Sequence, residues 1–296
     1  MPGRAMKHWR VAILLIAWIF VFAGRGRHDV PLSKYYELAA QHQFDCVGEL
    51  LANKPYPGSG VLIDSEDVLT AAHCVMESTG HLDTIKSGGY TMTVNVDDST
   101  YIGSPQSYSF RFGDQIYHGV KITVHPKYNH LIANQFDLAI VKLDRPVKNV
   151  DLPHLCENHD ELGAIVVGVG FGPGGPADTP EVKNPIRKFA GENVIDSMSR
   201  PDEFGLPTLM LCDMDHPTDS SCNKTVSKIP RPLEYIASGG DSGGGLFRLK
   251  NGKWELIGIL TGGGINIDQF KRTGYYGQIM KWTRLSTFQS WISSSL

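Results

Sequence analysis

Short apolar runs, separated by polar and glycine-containing stretches, are the main pattern of the chain after residue 44. Residues 60–63 and 68–70 are largely apolar with a polar stretch between them, which predicts two strands joined by a tight turn. Apolar and polar positions alternate at 120–124, and the apolar runs at 138–143 and 254–260 predict further strands. Together with 32 glycines and 17 prolines, this pattern is typical of an all-β sandwich or barrel.

The beginning of the chain follows another pattern. Three basic residues precede an unbroken apolar run at residues 11–23, which ends in a small residue. This order predicts a secretory signal peptide, residues 1–23, cleaved near Ala23. The run is shorter than the roughly 20 residues of a membrane span, and an uncleaved signal anchor is the alternative.

The rest of the chain then divides into a leading segment and a folded part. Residues 24–43 carry no clear apolar period, and we expect a loosely structured lead. At the other end, Phe288, Trp291 and Ile292 lie at helical spacing and predict a helix over about residues 283–295.

Composition excludes several classes of partner. The chain has 296 residues, enough for one large or two small packed units, and its formal net charge is only −3. This charge gives no strong attraction to nucleic acid or to an anionic membrane surface, and we expect neither as a partner.

The five cysteines bear on the compartment. Export would permit disulfides, and Cys212 and Cys222 are the easiest local pair, whereas the pairing of Cys46, Cys74 and Cys156 stays open. No spacing resembles a zinc ligand set, so we expect no metal. Asn223 begins an Asn-Lys-Thr glycosylation acceptor, which a eukaryotic secretory pathway could modify.

The stretch Gly-Gly-Asp-Ser-Gly-Gly at residues 239–244 carries the first chemical signal. Ser242 between glycines suits a tight turn that presents a hydroxyl and aims backbone N–H groups at one point. A glycine-rich loop without chemistry is the alternative when this stretch is taken alone.

Two upstream residues favour a catalytic role for Ser242 over a glycine-rich loop without chemistry. His73 follows the strand at 68–70, and Asp137 lies at the start of the strand at 138–143. Taken singly, they are a core histidine and a solvated aspartate. A serine nucleophile, however, needs a base, histidine titrates near neutrality, and a buried aspartate orients the imidazole.

The sequence around these residues resembles the trypsin/chymotrypsin-like serine peptidases. Thr-Ala-Ala-His-Cys at 70–74, Asp-Leu-Ala-Ile-Val-Lys-Leu at 137–143 and Gly-Gly-Asp-Ser-Gly-Gly-Gly-Leu-Phe at 239–247 look like the three signature blocks of that family, in its order. Shorter blocks at 125–129, 170–172 and 259–263 are also similar to it. The resemblance covers roughly residues 44–296.

The resemblance implies a fold and a division of the chain. The expected fold is all-β, with two antiparallel six-stranded β-barrels and a C-terminal helix. The N-terminal barrel would span about residues 44–150, the C-terminal barrel about 160–282, and the helix about 283–295.

The resemblance also implies the roles of individual residues. Ser242 would be the nucleophile, His73 the general base and acid, and Asp137 its orienter. The backbone N–H groups of Gly240 and Ser242 would form the oxyanion hole.

One departure from the family concerns activation. In that family a freed amino terminus pairs with the aspartate before the serine, here Asp241, but the usual Ile-Val-Gly-Gly-like start is missing. An unpaired buried carboxylate costs several kcal/mol. Another cation then pairs with Asp241, or the chain is trimmed at an unexpected site, or the pocket is poorly formed.

A second departure concerns the disulfide frame. Cys74 is present, but the position of its usual partner holds Gly58, and Ser238 stands where a further cysteine is expected. A link from Cys156 to the upstream Cys46 is conceivable by the resemblance to relatives that tether a leading segment.

The substrate pocket also departs from the trypsin pattern. By the resemblance, Ile236 would floor the primary specificity pocket, with Thr261, Gly263 and Gly274 as further substrate-binding residues. An apolar floor favours cleavage after large apolar residues over Lys or Arg. Glu234 is the alternative source of a basic preference.

The sequence therefore predicts a secreted, monomeric serine endopeptidase that acts through an acyl-enzyme. Its partners would be a protein or peptide substrate and a protein inhibitor, with no cofactor, and no membrane after signal removal. The alternative is a non-catalytic homologue that acts as a binding or regulatory protein, and the missing activation segment is what favours it.

Overall fold

The structure, a computed structural model, describes residues 25–54, 58–87, 90–130, 135–177, 186–202, 205–264 and 275–296. The predicted signal peptide and Gly274 lie outside these residues. Among the residues described, no helix is both long and apolar enough to cross a membrane.

Six strands close into a barrel that forms the first half of the fold. These strands are β1 Val47–Leu51, β2 Ser59–Leu62, β3 Asp67–Thr70, β6 Ser109–Phe112, β7 Gln115–Val124 and β8 Ala139–Leu143. Their order around the barrel is β1-β2-β3-β8-β7-β6, and all of the pairs are antiparallel. The predicted strands at 60–63, 68–70, 120–124 and 138–143 all belong to it. All four residues of β2 are buried, because one face of the strand points into the barrel and other segments of the same protein cover the opposite face.

Between β3 and β6, residues 77–101 form a separate unit. It contains most of β4 Met76–Ser87 and β5 Tyr90–Ile102, which make a two-stranded sheet.

The second half is a curled sheet that forms a half-barrel. Its strands are β9 His154–Leu155, β10 Ile165–Gly170, β11 Phe189–Val194, β12 Ser197–Met198, β13 Leu209–Asp213, β14 Gly245–Lys250, β15 Lys253–Gly264 and β16 Ile279–Arg284. Seven of them follow the order β11-β10-β14-β15-β16-β13-β12, and β9 adds to β15 in parallel. The predicted fold class is confirmed: the chain is mostly strands, with a closed barrel, a half-barrel and a C-terminal helix.

Three α-helices and two short 3₁₀ helices complete the described chain. The α-helices are α1 Leu32–Ala39, α2 Ala72–Val75 and α3 Leu285–Ser295, and the 3₁₀ helices are His42–Phe44 and Pro105–Ser107. α3 matches the helix predicted from the spacing of apolar residues near the end. It buries Phe288 and Ile292, whose spacing of four residues places them on one helix face.

The leading segment is ordered, and the expectation of a loose lead over residues 24–43 is wrong for residues 25–43. α1 packs on β11, where the ring of Tyr35 stacks on that of Phe189 with centroids 4.8 Å apart. The Tyr35 hydroxyl donates to the carbonyl of Glu234. The helix is held by packing and by this hydrogen bond, and its sequence alone did not indicate either contact.

Candidate active site

Strand pairing brings Asp137 and His73 together. Thr70 at the end of β3 pairs with Ala139 at the start of β8, so the residues just beyond these ends are neighbours. His73 lies in the short helix α2, and its Nδ1 is 2.7 Å from Asp137 Oδ2. The backbone N–H of His73 donates to Asp137 Oδ1 over 2.9 Å. Both carboxylate oxygens therefore fix the position of the histidine.

Thr261 adds a third donor to the same carboxylate. The pairing of β15 with β16 shifts register between Leu260 and Gly262, and Thr261 lies at that irregularity. Irregularities of this kind re-aim side chains at the edges of sheets. The Thr261 hydroxyl donates to Asp137 Oδ2, and Thr261 is almost fully buried.

The pair is electrostatically polarised. Burial alone would lower the pKa of His73, but the Asp137 carboxylate outweighs it and holds the pKa well above its ordinary value. Burial would likewise raise the pKa of Asp137, yet His73 and the hydrogen bonds from His73 and Thr261 keep it below its ordinary value. Asp137 is thus an ionised, buried partner that favours a protonated imidazole.

Ser242 lies in a turn that leads into β14. Gly240 and Gly243 flank it with φ values of 94° and 81°, which an L side chain rarely adopts. A Cβ at Gly243 would also lie 2.2 Å from Ser59 O and from Thr70 Oγ1. These glycines are required by the turn and by its close approach to the first barrel.

Three of the five backbone N–H groups at residues 240–244 form hydrogen bonds inside the fold. The N–H groups of Asp241, Gly243 and Gly244 donate to backbone carbonyls within the fold. Within the described residues, the N–H groups of Gly240 and Ser242 have no acceptor. The two groups predicted for an oxyanion hole are therefore available to an external acceptor.

Ser59 joins the turn to the first barrel, and the sequence analysis did not identify it. Its backbone N–H donates to Ser242 O over 2.7 Å, and its hydroxyl donates to Gly240 O over 3.0 Å. The same hydroxyl accepts from the N–H of Phe171. A serine in a short buried strand gives no sequence signal for this role.

Ser242, the third predicted member of the triad, lies near the Cys74 thiol beside His73, but its hydroxyl forms no hydrogen bond with the His73 ring. No hydrogen bond links Ser242 Oγ to His73 within the part of the chain that the structure describes. His73 Nε2 instead lies 3.7 Å from Cys74 Sγ. A Cβ on Gly58 would lie 2.9 Å from both Cys74 Sγ and Ser242 O, so all three residues converge. Hydrogen bonds between nucleophile and base are often long without substrate and tighten in the Michaelis complex.

Asp241 has a cation partner that comes from the leading segment. The guanidinium of Arg25 forms an ion pair with Asp241 Oδ1, and both side chains are nearly or completely buried. The sequence left three alternatives open for Asp241, and this contact corresponds to the first of them, in which a cation within the chain pairs with it. The basic residues after Ala23 were visible in the sequence, but nothing there indicated that Arg25 folds inward.

The predicted specificity residues have different surroundings. Ile236 is fully buried in the core of the half-barrel, and Gly263 lies in β15 opposite Met280. Thr261 contacts Asp137, as described above. Glu234 is buried and accepts from the N–H of Arg231 over 2.6 Å, and burial raises its pKa well above the ordinary value.

The cysteines do not form the expected disulfides. Cys46, Cys74, Cys156 and Cys212 are buried free thiols. The Cys212–Cys222 bridge is absent, which corrects that expectation, and the open question of a Cys46–Cys156 link is answered by two separate thiols. Burial disfavours the thiolate form of these side chains. It raises the pKa of Cys46 to about 12 and that of Cys212 well above its ordinary value.

The glycosylation acceptor is not available in the folded chain. Asn223 is buried, its Oδ1 accepts from the N–H of His216, and its Nδ2 donates to the carbonyl of Lys228. A glycan on Nδ2 would have to displace these contacts. Across the described ranges, no group of three or more His, Cys, Asp or Glu residues could hold a metal ion.

Comparisons with known proteins agree with this geometry. A family model described as Trypsin matches residues 37–190, just over half of the chain, which includes His73 and Asp137 and ends before Ser242. Serine protease 7 of Drosophila melanogaster is 27% identical over 261 residues, which cover 80% of this chain and 56% of that protein.

Two further relatives are matched over more of their length. Snake venom serine protease HS112 of Bothrops jararaca is 26% identical over 261 residues, covering 86% of this chain and 82% of that protein. Chymotrypsin-C of Bos taurus is 26% identical over 286 residues, covering 92% and 87%. The matched family model, these relatives and the barrel with its histidine–aspartate pair lead to one conclusion: the chain belongs to the trypsin family.

Proposed function

We propose that this protein is a secreted serine endopeptidase that hydrolyses peptide bonds through a covalent acyl-enzyme. Ser242 is the nucleophile, His73 the general base and acid, and Asp137 the residue that orients His73. The observation that carries the proposal is the buried Asp137 carboxylate, which accepts hydrogen bonds from Nδ1 and from the backbone N–H of His73.

The first half-reaction forms the acyl-enzyme. Ser242 Oγ attacks the carbonyl carbon of the scissile bond while its proton passes to His73 Nε2. The N–H groups of Gly240 and Ser242 donate to the oxyanion of the tetrahedral intermediate. His73 then gives the proton to the leaving amine, the C–N bond breaks, and the acyl group stays on Ser242.

The second half-reaction releases the acid. Water attacks the ester carbonyl, and His73 Nε2 accepts its proton. The ester bond to Ser242 Oγ breaks, and His73 returns the proton to the serine oxygen. The Asp137 carboxylate stabilises the imidazolium in both halves and keeps Nδ1 as the donor to Asp137 Oδ2.

Cleavage after large apolar residues is the proposed specificity. The resemblance assigns position 236 to the pocket floor, and the absence of a carboxylate there, where the chain has Ile236, supports this preference. Glu234, the alternative source of a basic preference, is buried, accepts from the N–H of Arg231, and has its pKa raised well above the ordinary value. A buried carboxyl whose charged form is disfavoured and whose oxygens accept from backbone N–H groups is a poor partner for a Lys or Arg side chain. Peptide-library profiling should give cleavage after Phe, Tyr or Leu, and a strict Lys or Arg preference would overturn this assignment.

A non-catalytic homologue is the second candidate. The observation that favours it is the contact of His73 Nε2 with Cys74 Sγ, in place of a hydrogen bond to Ser242. A fluorophosphonate probe separates the two candidates, because it reacts only with an activated serine. The enzyme predicts labelling at Ser242 that is lost in His73→Ala. A folded wild-type protein that stays unlabelled would establish the binding protein instead.

A further inference from the structure

The Arg25 side chain lies deep inside the second half of the fold. It has no exposed surface, and its Cζ lies 4.2 Å from the centre of the Phe189 ring. Its Nη1 donates to Gly172 O over 2.7 Å, while Nη2 pairs with Asp241. Burial of a guanidinium is costly unless its charge is paired and its donors are used.

The backbone of the same residue is fixed from both sides. The N–H of Arg25 donates to Gly175 O over 2.7 Å, and its carbonyl accepts from the N–H of Ile236 over 2.8 Å. Gly26 forms bridges to Tyr235 and to Pro176. Residues 25 and 26 are therefore inserted between two loops and are not a free tail.

Asp241 passes this anchoring to the catalytic turn. Besides the guanidinium, its carboxylate accepts from the N–H of Gly172 and the N–H of Ser238, each over 2.8 Å. Asp241 stands between Gly240 and Ser242, whose N–H groups are the proposed oxyanion donors. Holding this side chain in place therefore restrains the two peptide groups that adjoin it.

We propose that Arg25 is a built-in positioning residue: its guanidinium holds Asp241 in the productive position, so the oxyanion hole forms without a freed amino terminus. The inference rests on the proposed function. It follows that the protein is competent as soon as it folds, and that cleavage after Arg25 or Arg27 removes the cation and inactivates the enzyme.

Substitution at Arg25 tests the inference in the full chain. Arg25→Met keeps much of the side-chain volume and removes the charge. We expect kcat to fall by roughly 100–1000-fold with little change in KM, which is the cost of losing an oxyanion donor. Arg25→Lys should recover part of kcat, because it restores the charge but not the planar fork. Arg27→Met is the matched control, since Arg27 lies two residues away and pairs with Asp29 nearer the surface. Its kcat should stay at the wild-type value.

A second measurement stands even if Arg25→Met does not fold. Wild-type protein is labelled with the fluorophosphonate probe, and the labelled fraction is sequenced from its amino terminus. The expected first residue is Arg25 or any residue that precedes it. A labelled fraction that begins after Arg25, or an Arg25→Met variant with wild-type kcat, would overturn the inference. A wild-type protein that is not labelled at all counts against the proposed function instead.

Discussion

At the scale of single residues, Asp137 is the group that orients His73. Its carboxylate accepts three hydrogen bonds in a nearly solvent-free position, from His73 twice and from Thr261 once. Such a carboxylate stays ionised and dictates which nitrogen of His73 carries the proton. The residue type was evident from the sequence, whereas the donor from Thr261 was not, because it depends on a register shift in β15.

Asp137→Asn should therefore reduce kcat strongly without unfolding the protein. The amide presents an N–H where the carboxylate accepted one, so His73 is driven to the wrong tautomer, and the loss expected is about 10⁴-fold. Steady-state kinetics on a peptide substrate measure it. Asp144→Asn, at an exposed aspartate that accepts from the N–H of His118, is the control and should keep wild-type kcat. An Asp137→Asn variant within tenfold of wild type would exclude the role given to Asp137.

The raised pKa of His73 sets the pH dependence. Only the neutral imidazole can accept the proton of Ser242, so kcat/KM should fall as pH drops through the pKa of His73 in the free enzyme. The neighbouring Asp137 raises this pKa, and the midpoint should therefore lie above the ordinary value near 6.5. In Asp137→Asn the midpoint of the residual activity should move down. A wild-type midpoint below 6.5 would contradict the assignment.

At the scale of elements, two buried acids lie close together in sequence at the end of β13: Asp213 is its last residue, and Asp215 follows two residues later. Asp213 accepts from the N–H groups of Lys224 and Thr225 and from the Thr225 hydroxyl. Asp215 is also buried, but its Oδ1 has no partner among the described residues. Burial, and then the charge of Asp213, raise the pKa of Asp215 to about 7.

This environment makes Asp215 a source of instability at neutral pH. The unfolded side chain ionises near pH 4 and the folded one near pH 7, so the folded state binds the extra proton in that window. Stability contributed by this group therefore falls as pH rises from about 4 to about 7. Asp215→Asn should raise the free energy of unfolding by about 2–4 kcal/mol at pH 7.5, and by much less near pH 4. Asp213→Asn, which disturbs satisfied hydrogen bonds, should destabilise the protein instead. Denaturant unfolding at the two pH values checks both, and an Asp215→Asn variant that is no more stable at pH 7.5 would contradict the account.

The strands were more readily predicted than the leading segment. Alternation at 120–124 and the apolar run at 138–143 reappear as parts of β7 and β8. The run at 138–143 is informative because β8 is buried at four of its five positions, so its burial is recorded by the local sequence. α1 and Arg25 were missed because their order depends on partners more than 140 residues away, such as Phe189 and Asp241. No local pattern records such contacts.

At the scale of the whole molecule, packing and ion pairs replace the disulfides that the sequence led us to expect. Counting cysteines could not reveal this, since an exported chain permits bridges without requiring them. Gly58 illustrates the physical reason: it has no sulfur to offer Cys74, and a side chain at this position would meet both the Cys74 thiol and the backbone of Ser242.

Reduction should consequently leave the protein unchanged. Loss of a native disulfide typically costs about 2–5 kcal/mol, so a chain stabilised by bridges would lose Tm in dithiothreitol. We expect the same Tm and the same kcat with and without the reductant. Alkylation under denaturing, non-reducing conditions, read by peptide mapping, should modify Cys46, Cys74, Cys156 and Cys212. Any of these four found in a disulfide would contradict the structure.

Trapping the acyl-enzyme tests the proposed chemistry of Ser242 directly. When the full-length protein is mixed with p-nitrophenyl acetate, we predict a burst of p-nitrophenol stoichiometric with protein, and mass spectrometry should find one acetyl group on Ser242. The burst and the acetyl group should both disappear in Ser242→Ala. A folded wild-type protein that gives no burst, or that carries the acetyl group on Cys74 in place of Ser242, would contradict the account.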